Sequence, residues 1–113
     1  MSDVKTIKRQ LTIKTGVVKR LVKEEKSYEK EAKEQEERVA KYESEGKESW
    51  EISQQKKVLQ DCKQMIPDCQ KRLQSAVEDL QSILDGLEGE ELTSSDEAKA
   101  AKDALSSVST TNS

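Results

Sequence analysis

The sequence predicts an all-α protein: an antiparallel three-helix bundle of coiled-coil type, with two long helices and a shorter C-terminal one. Three observations carry that prediction. A seven-residue apolar period runs through most of the 113 residues. Charged residues make up 38% of the chain against 32% for the hydrophobic set, with no Phe and a single Trp. Turn-forming residues gather in only two places, 44–49 and 86–94. A core of ordinary thickness cannot be built from this composition. A thin bundle can, because a helical seam needs only two or three apolar residues per heptad. The periodicity also argues against the disorder that so much charge would otherwise suggest. One domain spanning residues 1–113 is the expectation for this length.

The first helix is expected over about residues 3–44. Asp3 suits an N-cap, because its carboxylate can accept an orphan amide of the first turn. Val4, Ile7, Leu11, Val18, Leu21, Tyr28, Ala32, Val39 and Tyr42 fall at core heptad positions, interrupted by Lys14, Glu25 and Gln35. Glu29 with Lys33, Glu34 with Arg38, and Glu37 with Lys41 stand in the favourable i,i+4 order. Each such pair contributes about 0.2–0.5 kcal/mol. Gly16 is the weak point, since an interior glycine costs about 1 kcal/mol against alanine. It is either a tolerated defect or a place where a partner backbone comes close.

Ser44 to Ser49 breaks the pattern. Gly46 can adopt the left-handed conformation that ends a helix, and Ser49 or a neighbour can cap the next. So short a connection makes the two helices antiparallel neighbours. Trp50, just past the turn and off the seam, is expected to cover the end of the hairpin.

The second helix is expected over about 49–85. Ile52, Leu59, Cys62, Ile66, Cys69, Leu73, Ala76, Leu80, Ile83 and Leu87 continue the seam, with Gln55 as the polar exception. Val58 and Met65 widen it on one side, Val77 and Leu84 on the other, so the helix suits contact with two neighbours. Pro67, the only proline, removes a backbone donor and clashes with the preceding turn. The pattern passes through it in register, so the expected result is a kink and not a break. Counting from the turn, Pro67 lies opposite the region of Glu25 and Tyr28.

Gly86 and Gly89 in an acidic stretch mark a loop. Ser94 and Glu97 have capping-box spacing, and a third helix over about 95–108 follows, with Ala98, Ala101, Leu105 and Val108 on its inner face. Its expected dock is the side of the second helix bearing Val77 and Leu84. Residues 109–113 are expected to form a disordered tail.

The chain has no histidine, which removes the usual general base and the commonest metal ligand. Cys62 and Cys69, seven apart on one helix, have Cα atoms about 10 Å apart. A disulfide needs less than about 7 Å, and the pair lacks further ligands for zinc. Both read as small core residues. No phosphate-loop or calcium-loop spacing is present. An enzyme is not expected, nor a cofactor or metal. No apolar run approaches the roughly 18 residues that span a bilayer, and no signal-peptide core opens the chain, so a soluble intracellular protein is the expectation.

The net charge of −3 conceals a segregation. Met1 to Lys23 carries seven Lys/Arg against one acid, a surplus of six positive charges. The helix macrodipole disfavours cations near an N-terminus, so local stability does not explain Lys5, Lys8, Arg9, Lys14, Lys19, Arg20 and Lys23; an acidic partner would. Lys63, Lys71 and Arg72 flank Pro67 and could extend the same field. Since the domain is not basic as a whole, nucleic acid is not the expected partner.

Three blocks resemble the tubulin-binding cofactor A family: Ile13-Lys14-Thr15-Gly16-Val17-Val18-Lys19-Arg20-Leu21-Val22-Lys23-Glu24, Tyr28-Glu29-Lys30-Glu31-Ala32, and Met65-Ile66-Pro67-Asp68-Cys69-Gln70-Lys71-Arg72-Leu73. A weaker echo continues in Asp79-Leu80-Gln81. The resemblance covers roughly residues 7–85, and the third helix rests on its own periodicity. It implies a three-helix bundle that captures β-tubulin monomers or folding intermediates after chaperonin release. It also implies stabilisation without catalysis or nucleotide, in the pathway that builds the αβ-tubulin dimer. A cytoplasmic, cytoskeleton-associated protein is implied, with a monomer expected and a dimer left open. Tubulin is acidic, which agrees with the basic segment. Lys14, Lys19, Arg20, Lys23, Tyr28, Glu31, Pro67, Asp68, Lys71 and Arg72 are the candidate partner-binding residues. A structural coiled-coil scaffold that self-associates or joins another helical protein is the alternative. A membrane-surface helix at residues 4–23 is disfavoured, because it lacks the Trp or Phe of such helices.

Overall fold

The computed structural model describes residues 3–111 and is all-α, with two long helices followed by two shorter ones: α1, Val4–Ser44; α2, Ser49–Asp85; α3, Glu90–Thr93; and α4, Asp96–Thr111. The residues group into two compact units. The first takes in α1 up to Val22, α2 from Arg72, and both α3 and α4; the second is Lys23–Lys71.

The second unit is a helical hairpin. Gly46 takes a φ of 68°, the left-handed region that an L side chain avoids. Its amide donates to the Glu43 carbonyl, and the Lys47 amide donates to that of Tyr42. This is the Schellman arrangement that satisfies the last carbonyls of α1. Glu48 is the residue that caps α2: its carbonyl accepts from Glu51 and Ile52, and the Glu51 carboxylate accepts from its amide at 3.2 Å. Lys56 with Glu43 and Lys63 with Glu36, the latter at 3.1 Å, carry the antiparallel pairing away from the turn. Both pairs are solvent-exposed, so each is worth well under about 1 kcal/mol. Ala32, Val39 and Cys69 are buried here. Trp50 is 65% exposed and does not cover the end of the hairpin. The cause is geometric: Ile52 faces the seam, and two residues earlier on a helix points nearly the opposite way. Pro67 lies within α2, which continues through it to Asp85.

In the first unit, Leu11, Val18, Leu73 and Leu80 are buried together with Ala98, Ala101, Ala104 and Val108 of α4. The Asp3 carboxylate accepts the Thr6 amide at 2.7 Å, capping α1 as expected. That bond favours the ionised form and holds the Asp3 carboxyl below the ordinary range. The stretch after α2 differs from the expected loop. Glu90–Thr93 closes one helical turn, α3, pinned by the buried Leu92. The cap of α4 is Ser95 and not Ser94. The Ser95 hydroxyl accepts the Ala98 amide at 3.1 Å and donates to the Leu92 carbonyl at 2.7 Å. The Ser94 hydroxyl instead turns back to the Glu90 carbonyl. Where Leu105 was expected on the inner face of α4, the adjacent Ala104 is buried instead, and Leu105 is half-buried and lines a recess with Leu84 of α2. The helix runs to Thr111, so residues 109–111 of the expected tail are helical; Asn112 and Ser113 lie outside the described residues.

Candidate partner-binding surface

The polar residues that interrupt the seam decide what each unit offers. Lys14 is half-buried, and its ammonium reaches Asp79 of α2 at 3.7 Å. It thereby stands apart from the other cations of the basic segment at the start of α1. Gln35 is buried and donates through Nε2 to both the carbonyl and the Oε1 of Gln55, at 3.0 and 2.9 Å. The two polar exceptions thus satisfy each other. Glu25 is only 2% exposed, and its Oε2 has no hydrogen-bond partner. Burial pushes its carboxyl above the usual range, and the nearby charge of Glu29 adds to the shift.

The rest of the basic segment faces solvent. Lys5, Arg9, Gly16, Lys19 and Arg20 are all exposed, with Lys8 half-buried. Their spacings of three, four and seven place Arg9, Gly16 and Arg20 on one side of the helix, with Lys5 and Lys19 close beside. Among the described residues, no ion pair engages Lys5, Lys8, Arg9, Lys19 or Arg20. Ile13 is 54% exposed on this same side. The sequence signal for it is that an apolar residue here falls outside the heptad series of the buried seam. Arg72, also in the first unit, is exposed.

The remaining candidates belong to the second unit. Lys23, Glu31, Pro67, Asp68 and Lys71 are exposed, and Tyr28 is half-buried. Lys19 and Arg20 are adjacent on α1, and Asp68 follows Pro67 on α2. Beyond these candidates, Trp50, Val58 and Met65 are large apolar side chains exposed on α2. Both cysteines are free, Cys69 buried and Cys62 half-buried. Among the described residues no group of acids and cysteines is placed to hold a metal ion, and no helix is long and apolar enough to cross a membrane.

Comparison with known proteins places this arrangement. The family described as Tubulin binding cofactor A matches residues 6–105. Tubulin-specific chaperone A of Homo sapiens is 57% identical over 53 residues, 47% of this chain and 49% of the human protein. The Gallus gallus protein is 53% identical over a stretch of the same length. The chain therefore spans about half the length of these relatives in sequence alignment. Superposition extends farther. The crystal structure of tubulin folding cofactor A from Arabidopsis thaliana aligns with a TM-score of 0.79 at 38% identity, covering 92% of this chain and 96% of that one. Human tubulin chaperone cofactor A aligns with a TM-score of 0.78 at 48% identity, covering 91% and 98%. With the match running from the first turns of α1 into α4, the chain belongs to the tubulin binding cofactor A family.

Proposed function

We propose that the chain is a tubulin-folding cofactor that binds β-tubulin monomers or folding intermediates after chaperonin release and keeps them competent for αβ-tubulin assembly. The observation that carries this reading is the family match over residues 6–105, together with a row of exposed cations on α1 that no carboxylate among the described residues engages. The action is stoichiometric. A preformed helical surface meets one partner, with no nucleotide, metal or bond-making step, in the cytoplasm and alongside the cytoskeleton. The contact residues in this reading are Lys14, Lys19, Arg20, Lys23, Tyr28, Glu31, Pro67, Asp68, Lys71 and Arg72. The cations contribute chiefly to encounter rate and orientation, as charges at the rim of an interface do. Co-purification with β-tubulin at low salt tests the reading; failure to retain β-tubulin sinks it.

A second reading has one observation in its favour. Trp50, Val58 and Met65 are exposed on α2, which suits a scaffold that self-associates. Sedimentation decides this: a monomer across the micromolar range leaves no room for a self-assembling scaffold.

A further inference from the structure

Gly16 occupies the interior of a 41-residue helix, where glycine weakens the helix relative to alanine. Among the described residues nothing requires it. Its φ is not in the left-handed region, and a Cβ built there meets no atom within 4 Å. The missing side chain instead forms part of a recess of about 320 Å³ between α1 and the first turns of α4, lined by Thr12, Thr15, Lys19, Asp96, Glu97 and Ala100 as well. Thr15, next to Gly16, is 5% exposed, and its hydroxyl has no hydrogen-bond partner. Lys19 lines the notch, Arg20 lies one turn after Gly16 and Arg9 two turns before it on the same side of α1. Among the described residues no ion pair engages the three, and exposed Ile13 stands three residues before Gly16.

Resting on the reading of the chain as a tubulin cofactor, we infer that the notch at Gly16 is the point of closest approach for an acidic helical segment of the client. Its floor is small and largely hydrocarbon: Gly16, Ala100 and the methyls of the two threonines. Interaxial distance between packed helices is set by the side chains at the crossing, so a glycine there lets a partner backbone come in close. Carboxylates one turn to either side of the crossing then reach Arg9 on one side and Lys19 or Arg20 on the other. Asp96 and Glu97 on the far rim repel acids, which confines the partner's carboxylates to the α1 side. Charge complementarity thus fixes both the chemistry of the occupant and its lateral position.

The test is Gly16→Gln, which fills the notch without disturbing the charges, measured beside Glu34→Gln as an exposed control on α1. Helicity and melting temperature are followed by circular dichroism, binding to β-tubulin by titration, and oligomeric state by sedimentation. Gly16→Gln is expected to melt no lower than the wild type and to bind β-tubulin at least tenfold more weakly, while Glu34→Gln binds normally. If the wild type binds and Gly16→Gln binds equally well, the notch assignment is overturned and the tubulin reading stands. Absence of binding by the wild type itself overturns both. Loss of a self-associated form in Gly16→Gln, with tubulin affinity kept, assigns the notch to a second copy of the chain and also overturns the inference.

Discussion

Gln35 and Gln55 satisfy each other across the hairpin, the Nε2 of Gln35 donating to both the main-chain carbonyl and the side-chain oxygen of Gln55. Each looks like a defect in its own heptad series, yet together they form a part-buried polar tie that fixes the register of the hairpin's two arms. A one-turn slip would leave the Gln35 amide without these two acceptors, at about 1–3 kcal/mol for an unsatisfied buried group.

Gln35→Leu alone is therefore expected to destabilise the protein by about 1–2 kcal/mol, because it strands the Gln55 oxygens. Adding Gln55→Leu should recover most of that loss, since a matched apolar pair needs no hydrogen bond. A double-mutant cycle in urea checks the coupling. Simple additivity of the two substitutions would show that the tie carries no energy of its own.

Glu25 gives the opposite case, a buried carboxyl without a hydrogen-bond partner for Oε2. Its folded-state pKa is raised, by burial first and Glu29 second, so the folded state holds its proton more tightly than the unfolded state does. The stabilisation from that proton is fully present below the unfolded pKa and is lost as pH rises through the folded one. Glu25→Leu is accordingly expected to raise stability at pH 7 by about 1–3 kcal/mol and to flatten the decline that sets in as pH rises through the raised folded-state pKa. Denaturation curves at several pH values measure this; a variant less stable than wild type at pH 7 contradicts it.

The caps separate two serines that the sequence alone leaves equivalent. Ser95→Ala removes both the acceptor for the Ala98 amide and the donor to the Leu92 carbonyl, so it should cost about 1–2 kcal/mol. Ser94→Ala, which loses only an exposed bond to Glu90, should cost less than about 0.5 kcal/mol. Equal effects on the melting temperature would mean that Ser95 is not the cap.

The long helices and the turn are legible in the sequence because their signals repeat. Seam positions recur every three or four residues in both long helices, apolar at all but Lys14, Glu25, Gln35 and Gln55, and Gly46 supplies the left-handed residue that the break between them requires. The missed features depend on single residues acting at a distance. One turn of helix at Glu90–Thr93 forms because Leu92 finds a buried site, which no local periodicity announces. Ala104 displaces Leu105 from the innermost position because adjacent residues differ by only a quarter-turn, and the depth of α4 in its unit decides between them. Trp50 follows from the exact cap residue: with Glu48 capping α2, Ile52 takes the seam and Trp50 is left outside. Of the candidate surface, the cationic row on α1 could be read directly. The diversion of Lys14 to Asp79 and the open space at Gly16 required the neighbouring helices.

If the α1 cations that no carboxylate among the described residues engages hold an acidic client, reversing their charge breaks the contact. Lys19→Glu, Arg20→Glu and Lys23→Glu, combined in one variant, remove three exposed positive charges and leave the buried seam intact. Unchanged helicity is expected and, at low salt, β-tubulin affinity reduced by tenfold or more, with the wild-type affinity itself falling as salt screens the contact. A triple variant that binds β-tubulin as tightly as the wild type, at the same salt, would contradict that role of the cations.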